Sequence, residues 1–541
     1  MFINFSDLPA HQNIFLDYLY EFEKVEKYFH KNFRDVEEYP AFLSELANYN
    51  RPHREAVNNI IKRQYQHQTI SKQTEVNLEL LSSNKTFAVV TGQQLGIFGG
   101  PLYTFYKTIT AIKLCKSLKE KFEGYNFVPV FWLEGDDHDL DEVSYLNIID
   151  KSNELATVKY GEPLEEGTNK GSVGLIKLTE EIQKFINQFS EQTRESDFKV
   201  DMMNLLSSCY KEGVTFNQAF RNLIFEIFDE YGLILFNPQD GEVKKLLKDI
   251  YKSELVNFRE HTDVLVEKSA ELEEEYHAQV KVKPINLFAS EKDGRFLIEP
   301  VEENYRLKSK RKTLTKEEIL EWLERAPEDF SPNVLLRPIC QDYLLPTAFY
   351  VAGPGEISYF AQVTPLYGFY NVPQPYIYPR GSATIVEKSI TNVLEKYNLK
   401  YTDLFFDEKE LIEKVLESLS EANIDDDISG AKKLIEEKVA QLRESFIQID
   451  QTLGDVTDKS LERINQTLDQ LMQKAKKAEE RNHETAIRQL TRARNLFYPN
   501  NNLQERELNY TYIVNKYGME MLKWVLEELA INKFEHQIIE L

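Results

Sequence analysis

The chain predicts an α/β protein: an open parallel sheet of the nucleotide-binding type, followed by a long helical hairpin. Three observations carry this reading. Phe87-Ala88-Val89-Val90 is a short unbroken apolar run, as in a strand buried on both faces, and it breaks into a glycine-rich turn ending at Pro101. Phe127 to Leu133 repeats the pattern one helix length later. From Asp407 onward the apolar residues fall instead at alternating spacings of three and four.

Residues 13–81 read as mostly helical, with Phe15, Leu16, Leu19, Phe22, Leu78 and Leu81 at helical spacing and breaks at Pro40 and Pro52. Strand 87–91, helix 102–121 and strand 127–133 then form one βαβ unit with a right-handed crossover. Gly92, Gly96, Gly99 and Gly100 allow close backbone approach, and Pro101 suits a first helical turn. Free N–H groups at that helix start are expected to attract a phosphate or carboxylate. The turn has no Gly-Lys-Ser/Thr and does not fit G-x-G-x-x-G, so a plain strand-to-helix turn without a ligand is an equal reading.

The second strand runs into Glu134-Gly135-Asp136-Asp137-His138-Asp139. Residues just past the carboxyl ends of parallel strands face the ligand crevice. Three aspartates around one histidine suit binding a cation, orienting an imidazole or moving protons, or else capping the next helix.

Residues 151–192 read as short strands and turns at Gly161, Gly167, Gly171 and Gly174, which marks an insertion. An amphipathic helix over 216–228 leads to a third buried strand within 232–238, whose end at Asn237 to Asp240 points back to the crevice. A helical run (242–276) and a strand-like run (279–301) precede the basic run Lys308 to Lys312, which reads as a solvated loop ahead of a phosphate-contacting one. Residues 333–338, 347–352 and 376–379 are the remaining strand candidates. After Gly353-Pro354-Gly355 a helix starting near Ile357 places backbone donors beside Glu356, which suits a substrate amine or the helix dipole itself. Arg380 suits bidentate carboxylate binding.

Ile435, Val439, Leu442, Phe446, Ile449 and Leu453, then Leu461, Ile464, Leu468, Leu471, Ala475 and Ala478, are two heptad seams, with a break at Gly454-Asp455. They predict an antiparallel hairpin whose second helix reaches about Phe497 and whose seam closes both internally and against a second copy. The polar cluster around Gln504-Glu505-Arg506 and Asn509 turns the chain back toward the core, and a last helix over 512–529 docks there.

At 541 residues several domains are expected. The organisation is N-terminal helices and the first half of the core (1–150), insertions with intervening core elements (151–330), the second half of the core (331–406), the hairpin (407–498) and a docking C-terminal segment (499–541). A net charge of −24 argues against nucleic acid and anionic membrane as partners. Cys115, Cys209 and Cys340 have neither disulfide nor metal spacing and fit a reducing cytosol. None reads as a nucleophile. With no signal-peptide pattern and no membrane-spanning apolar stretch, a soluble cytoplasmic protein is expected.

Val90-Thr91-Gly92-Gln93-Gln94, Gly100-Pro101-Leu102-Tyr103-Thr104-x-Tyr106-Lys107 and Pro129-Val130-Phe131-Trp132-x-x-Gly135-x-Asp137-His138-Asp139 together resemble the bacillithiol-biosynthesis cysteine-adding enzymes, or cysteine ligases. Ser331 to Pro338, Gln341-Asp342, Leu345-Pro346-Thr347, Tyr350 to Tyr359 and Leu503-Gln504-Glu505-Arg506 follow in the family's order, so the likeness spans nearly the whole chain. The resemblance implies a Rossmann-like parallel-sheet core with connecting-peptide-like insertions and a C-terminal coiled-coil domain that makes a homodimer. It implies the last step of bacillithiol synthesis, the joining of L-cysteine to glucosaminyl-malate.

Forming that amide in water needs an activated carboxylate, for which ATP is the suspected source. Asp137, His138 and Asp139 are then expected to position the amine or take its proton. Thr91, Gly92, Gln93, Gln94, Gly100, Tyr103, Trp132, Asp136, Arg337, Gln341, Gly353, Glu356 and Arg380 are expected to bind substrate or nucleotide. Gln504, Glu505, Arg506 and Asn509 admit a second pocket, and no metal ligand is assigned. The rival readings are a ligase like the class I aminoacyl-tRNA synthetases, which the acidic balance and the lack of a clear His-x-Gly-His disfavour, and a non-catalytic nucleotide-binding dimeric scaffold.

Overall fold

The computed structural model describes residues 1–162, 168–419 and 424–541; the expected turn glycine Gly167 lies outside them. The chain forms two compact units, Met1–Ile385 with Asn502–Ile539 and Val386–Asn501 with Glu540–Leu541. Among the described residues no helix is long and apolar enough to cross a membrane.

The first unit is built on five strands, β1 (Thr86–Gln94), β2 (Asn126–Glu134), β3 (Ile234–Phe236), β4 (Thr347–Ala352) and β5 (Tyr376–Pro379). All pair in parallel in the order β3-β2-β1-β4-β5, the doubly wound order in which direction reverses between β1 and β4. Phe87, Ala88, Val89 and Val90 are fully buried, as strands covered on both faces must be. Helix α1 (Leu102–Lys121) joins β1 to β2 as expected.

The sequence reading ends β1 too early. Pairing with β2 continues through Gly92↔Trp132 to Gln94↔Glu134, so Thr91 to Gln94 are strand and the turn proper is Leu95 to Pro101. A side chain at position 92 would meet the Trp132 carbonyl at 2.9 Å, so close β1–β2 contact requires glycine there.

Helix α2 (Phe216–Phe228), started by a Thr215–Gln218 capping box, leads to β3 as the apolar spacing predicts. Helix α3 (Lys248–Glu273) follows. The region read as short strands over 151–192 is a hairpin of Tyr145–Ile149 with Leu155–Lys159, after which Glu181–Gln192 is helical. Ile182, Phe185, Ile186 and Phe189 bury one face of that helix, a 3.6-residue period that the flanking glycines obscure.

A second, antiparallel sheet contains Leu287–Glu291, Gly294–Val301, Asn304–Leu307, Thr313–Leu314 and Phe330–Pro332. The basic run 308–312 lies between two of its strands, where Lys310 pairs with Asp293 and Glu291. Residues 333–338 are not a strand. Asn333 accepts the Leu335 and Leu336 N–H groups and starts helix α4 (Arg337–Leu344), with Pro338 in its first turn. Helix α5 (Pro354–Tyr370) follows β4 directly, starting three residues before Ile357.

The expected C-terminal helix is split at Gly518, whose φ of +80° ends Thr511–Tyr517 before Glu520–Glu528 begins. A last strand, His536–Glu540, pairs with Phe2–Ile3.

In the second unit, helices α6 (Ile424–Ile447) and α7 (Leu453–Asn482) form the hairpin, and α8 (Glu484–Phe497) continues it after His483. Gly454 lies inside α7, so the turn falls at 448–452 instead of at Gly454-Asp455. Ile435, Val439, Leu461 and Leu468 are half-buried in the hairpin, whereas Leu442, Phe446, Ile449, Ile464 and Leu471 stay exposed. The predicted seam therefore divides between two faces. At the base, Tyr397, Val415, Ala486 and Leu490 form a small core.

Candidate active site

The carboxyl ends of β1, β2 and β4 open into a cavity of about 640 Å³ beside the switch point, where a doubly wound sheet leaves its crevice. Its walls carry seven basic side chains (Lys107, Lys281, Lys283, Arg295, Arg337, Arg380 and Arg506) against four carboxylates (Glu134, Asp137, Glu142 and Glu356). An excess of three positive charges, in a chain of net charge −24, makes this crevice a local sink for anions.

The wall shared by β1 and β4 is built on a buried ion pair. Lys107, on α1, donates to the Gly92 carbonyl at 2.5 Å and meets the Glu356 carboxylate at 2.6 Å. Glu356 also accepts from the Gly353 N–H at 2.7 Å and from the Tyr350 hydroxyl at 2.6 Å. Burial resists its charge, but Lys107 and these donors outweigh that and hold its pKa below the usual range. Glu356 thus closes on its own helix start, and it is already neutralised before any substrate amine arrives. Lys107 belongs to the quoted Tyr106-Lys107 motif, but its role is invisible until α1 packs against the switch point.

Arg337 donates to Gln341 at 2.9 Å, to Tyr350 at 3.2 Å and to Tyr359 at 2.9 Å. Gln341 lies behind the cavity and orients this arginine. Arg380 reaches the wall from just beyond β5 and is held by fully buried Glu505 at 2.6 Å. Glu505 accepts further bonds from Ser382 at 2.9 Å and from the Ala383 N–H at 3.0 Å. Burial works against its charge, but Arg380, His536 and the Ala383 N–H together outweigh it and hold its pKa below the usual range.

The acidic loop after β2 separates into distinct roles. Asp137 and His138 line the cavity. Asp137 accepts from Gln94 at 2.5 Å and from the His138 N–H at 2.6 Å. Burial raises its pKa, yet the hydrogen bonds from His138 and Gln94 outweigh it and hold the carboxyl well below the usual range. Asp136 turns away into a buried pair with Lys244 at 2.5 Å. Asp139 is exposed and caps the short helix Leu140–Val143 through the Glu142 N–H. Among the described residues no group of three or more His, Cys, Asp or Glu side chains is placed to hold a metal ion.

Glu134, which the site assignment omitted, lies in the same wall. It accepts from the Trp132 indole at 3.1 Å and has Arg337 at 3.9 Å. Burial, with Asp136 and Asp137 adding to it against Arg337, pushes its pKa up to about 7. Its signal in the sequence is its place as the last residue of a buried strand, which the acidic turn that follows masks.

In the Leu95–Pro101 turn, where the sequence leads one to expect an anion site, several backbone donors are already bonded. Gly96, Gly99 and Gly100 N–H groups bond within the turn, and the Leu102 N–H at the start of α1 donates to the Leu508 carbonyl at 2.9 Å. Thr91 is fully buried and its hydroxyl donates to the Val351 carbonyl, tying β1 to β4. At the start of α5, Gly353, Pro354 and Gly355 line the cavity, with the Gly353 N–H already bonded to Glu356.

Gln93, Gln94, Tyr103 and Trp132 line the cavity alongside Gly92. Gln93 donates to the Tyr103 hydroxyl at 3.2 Å, and burial pushes that phenol up to about 12. A second hollow of about 220 Å³ shares Gln93, Gln94, Tyr103 and Arg506 with the first and also contains Gly100 and Asn509. Asn509 braces the turn by donating to the Phe98 and Gly100 carbonyls at 3.0 and 2.6 Å. Gln504 lines neither hollow; it makes a two-bond clamp on the Ile385 backbone.

A doubly wound core with its crevice at the switch point, an inserted antiparallel sheet and a heptad hairpin define a Rossmann-type protein with an appended coiled coil. Residues 1–381 match the family described as bacillithiol biosynthesis BshC, N-terminal Rossmann-like domain, and residues 383–541 match its C-terminal coiled-coil domain. The chain belongs to this family. It is 34% identical over 535 residues to a protein of Salinibacter ruber, covering 98% of this chain and 97% of that one. It is 36% identical over 474 residues to a protein of Chloroherpeton thalassium, covering 85% and 84%. Both relatives bear the name "Putative cysteine ligase BshC".

Proposed function

We propose that this protein is a cytoplasmic ligase that joins the carboxyl group of L-cysteine to the amine of glucosaminyl-malate, completing bacillithiol. The observation that carries this reading is the pairing, in one cation-rich crevice, of a carboxyl with a pKa of about 7, Glu134, and a carboxylate held ionised, Asp137. Family membership and the names of the relatives support the substrate class.

In this mechanism Asp137 binds the substrate ammonium, which loses a first proton to solvent to become the free amine, and Glu134 takes the second proton, lost as the amine nitrogen attacks the carboxyl carbon. A base with a pKa near the working pH does this better than one held strongly acidic. The C–N bond forms as the bond from that carbon to its leaving group breaks. The basic side chains of the crevice orient and neutralise carboxylate oxygens. ATP supplies the activation of the cysteine carboxyl, and the surplus basic side chains of the crevice suit its phosphates.

The same reading includes a homodimer through the hairpin, supported by the exposed face of Leu442, Phe446, Ile449, Ile464 and Leu471. The test uses purified protein with L-cysteine, glucosaminyl-malate and ATP. Bacillithiol should appear in step with AMP and pyrophosphate. ADP and phosphate in their place would replace adenylation by an acyl-phosphate route, and no amide product would overturn the proposal.

A further inference from the structure

The basic side chains around the cavity divide sharply by partner. Lys107 is held by Glu356 and the Gly92 carbonyl, Arg337 by Gln341 and two tyrosines, Arg380 by Glu505, and Arg295 by Ser331 and the Pro332 carbonyl. These four are committed to the protein. Lys281, Lys283 and Arg506 line the same cavity; Arg506 makes only a backbone bond, to the Leu503 carbonyl, and among the described residues neither lysine makes a hydrogen bond or ion pair.

Both lysines sit on an irregular strap between the end of α3 and the strand Leu287–Glu291. The strap is anchored on either side of them. Before them, the fully buried Gln362 of α5 accepts from the Val280 N–H at 2.9 Å and donates to the Val280 carbonyl at 2.9 Å, while also donating to Ser269 at 2.8 Å. After them, the Pro284 carbonyl accepts from Thr262 at 2.7 Å, and the Asn286 N–H donates to buried Glu254 at 2.8 Å.

Only three residues, Lys281 to Lys283, span the two anchors. Lys283 precedes a proline, which favours extended backbone, and residues two apart on an extended chain share a face with their Cα atoms about 7 Å apart. Anchoring the backbone removes ordering entropy before a ligand arrives. Two unpartnered ammonium groups at that spacing match two acidic groups on one ligand better than a single one.

We propose that Lys281 and Lys283 are a pair of anion-gripping residues in this cavity, and that together they bind a ligand with two or more acidic oxygen groups, a dicarboxylate or a polyphosphate. The proposal deepens the ligase reading and rests on it for which substrate carries those groups. Gln362 acts through the strap as a positioning residue.

The test is calorimetric titration of the full-length protein with L-malate and, separately, with inorganic pyrophosphate. In K281Q/K283Q the Kd for one probe should rise by about tenfold or more, with a shallower salt dependence, and K281R/K283R should restore it. A shift confined to malate assigns the lysines to the dicarboxylate, and one confined to pyrophosphate assigns them to phosphate. Q362L, with both lysines present, should weaken the same probe, which scattered surface charge would not predict. Unchanged affinity for both probes in K281Q/K283Q, or wild-type protein that binds neither, overturns the proposal. A binding shift in a protein that makes no amide would remove the ligase reading and leave this one standing.

Discussion

Lys107 and Glu356 meet at 2.6 Å across the point where the sheet reverses direction, tying the helix after β1 to the helix after β4. Lys107 is 1% exposed, so the pair joins the two halves of the core at the wall of the crevice. Removing one partner of a buried pair leaves an uncompensated charge, which typically costs about 3–5 kcal/mol. Lys107→Ala should therefore lower stability by an amount in that range, read from urea unfolding. Lys107→Met with Glu356→Gln should recover part of the loss. An unchanged midpoint in Lys107→Ala would show that the pair does not brace the core.

Glu134 makes activity and stability run in opposite directions with pH. Turnover should rise through about pH 7 as the carboxyl becomes a base, and Glu134→Gln should lose both that limb and most of kcat. For stability, the folded-state pKa lies above the unfolded value of about 4.3. The folded form therefore binds the proton more tightly, and Glu134 draws stability down as pH rises from about 4.3 to about 7, with no further change above. Glu134→Gln should equal wild type in urea melts near pH 4 and exceed it at pH 8. Identical curves at both pH values would place Glu134 outside this role.

Asp137 and Asp139 differ by two positions and should differ in kind. Asp137→Asn removes a cavity carboxylate and should lower kcat by about 100-fold or more. Asp139→Ala removes a helix cap and should cost about 1 kcal/mol of stability while leaving kcat near wild type. The reverse pattern would exchange their assignments.

The exposed face of the hairpin predicts its own disruption. Leu442→Glu with Leu471→Glu places charge on that face without touching the half-buried residues that close the hairpin, Ile435, Val439 and Leu461. Light scattering should then report a monomer with unchanged helical circular dichroism. A dimer that survives both charges would put the interface elsewhere.

Local pattern was enough for the elements whose residues answer to their near neighbours along the chain. The apolar runs at 87–90 and 127–133, helix α1 between them, helix α2 and the heptads of the hairpin are all legible from spacing, and the family motifs point to the crevice residues. The capping and ladder contacts that set element ends are less local. β1 runs on through Gln94 because β2 lies beside it, and α1 starts against the distant Leu508 carbonyl.

What only the tertiary structure decided is which groups remain free to meet a ligand. The glycine-rich turn spends its donors internally and on Leu508, Asp136 on Lys244, and Glu505 on Arg380, so residues that read alike as site candidates separate into braces and cavity walls. Lys281 and Lys283 show the converse: two ordinary lysines in sequence, they line the cavity without partners on a strap whose preceding residue, Val280, is held by Gln362, about 80 residues away in the chain. Periodicity is set by steric and solvation preferences within a few residues, and so it survives in the sequence. Hydrogen-bond and charge partnership depends on which distant segments converge, and only the folded chain brings them together.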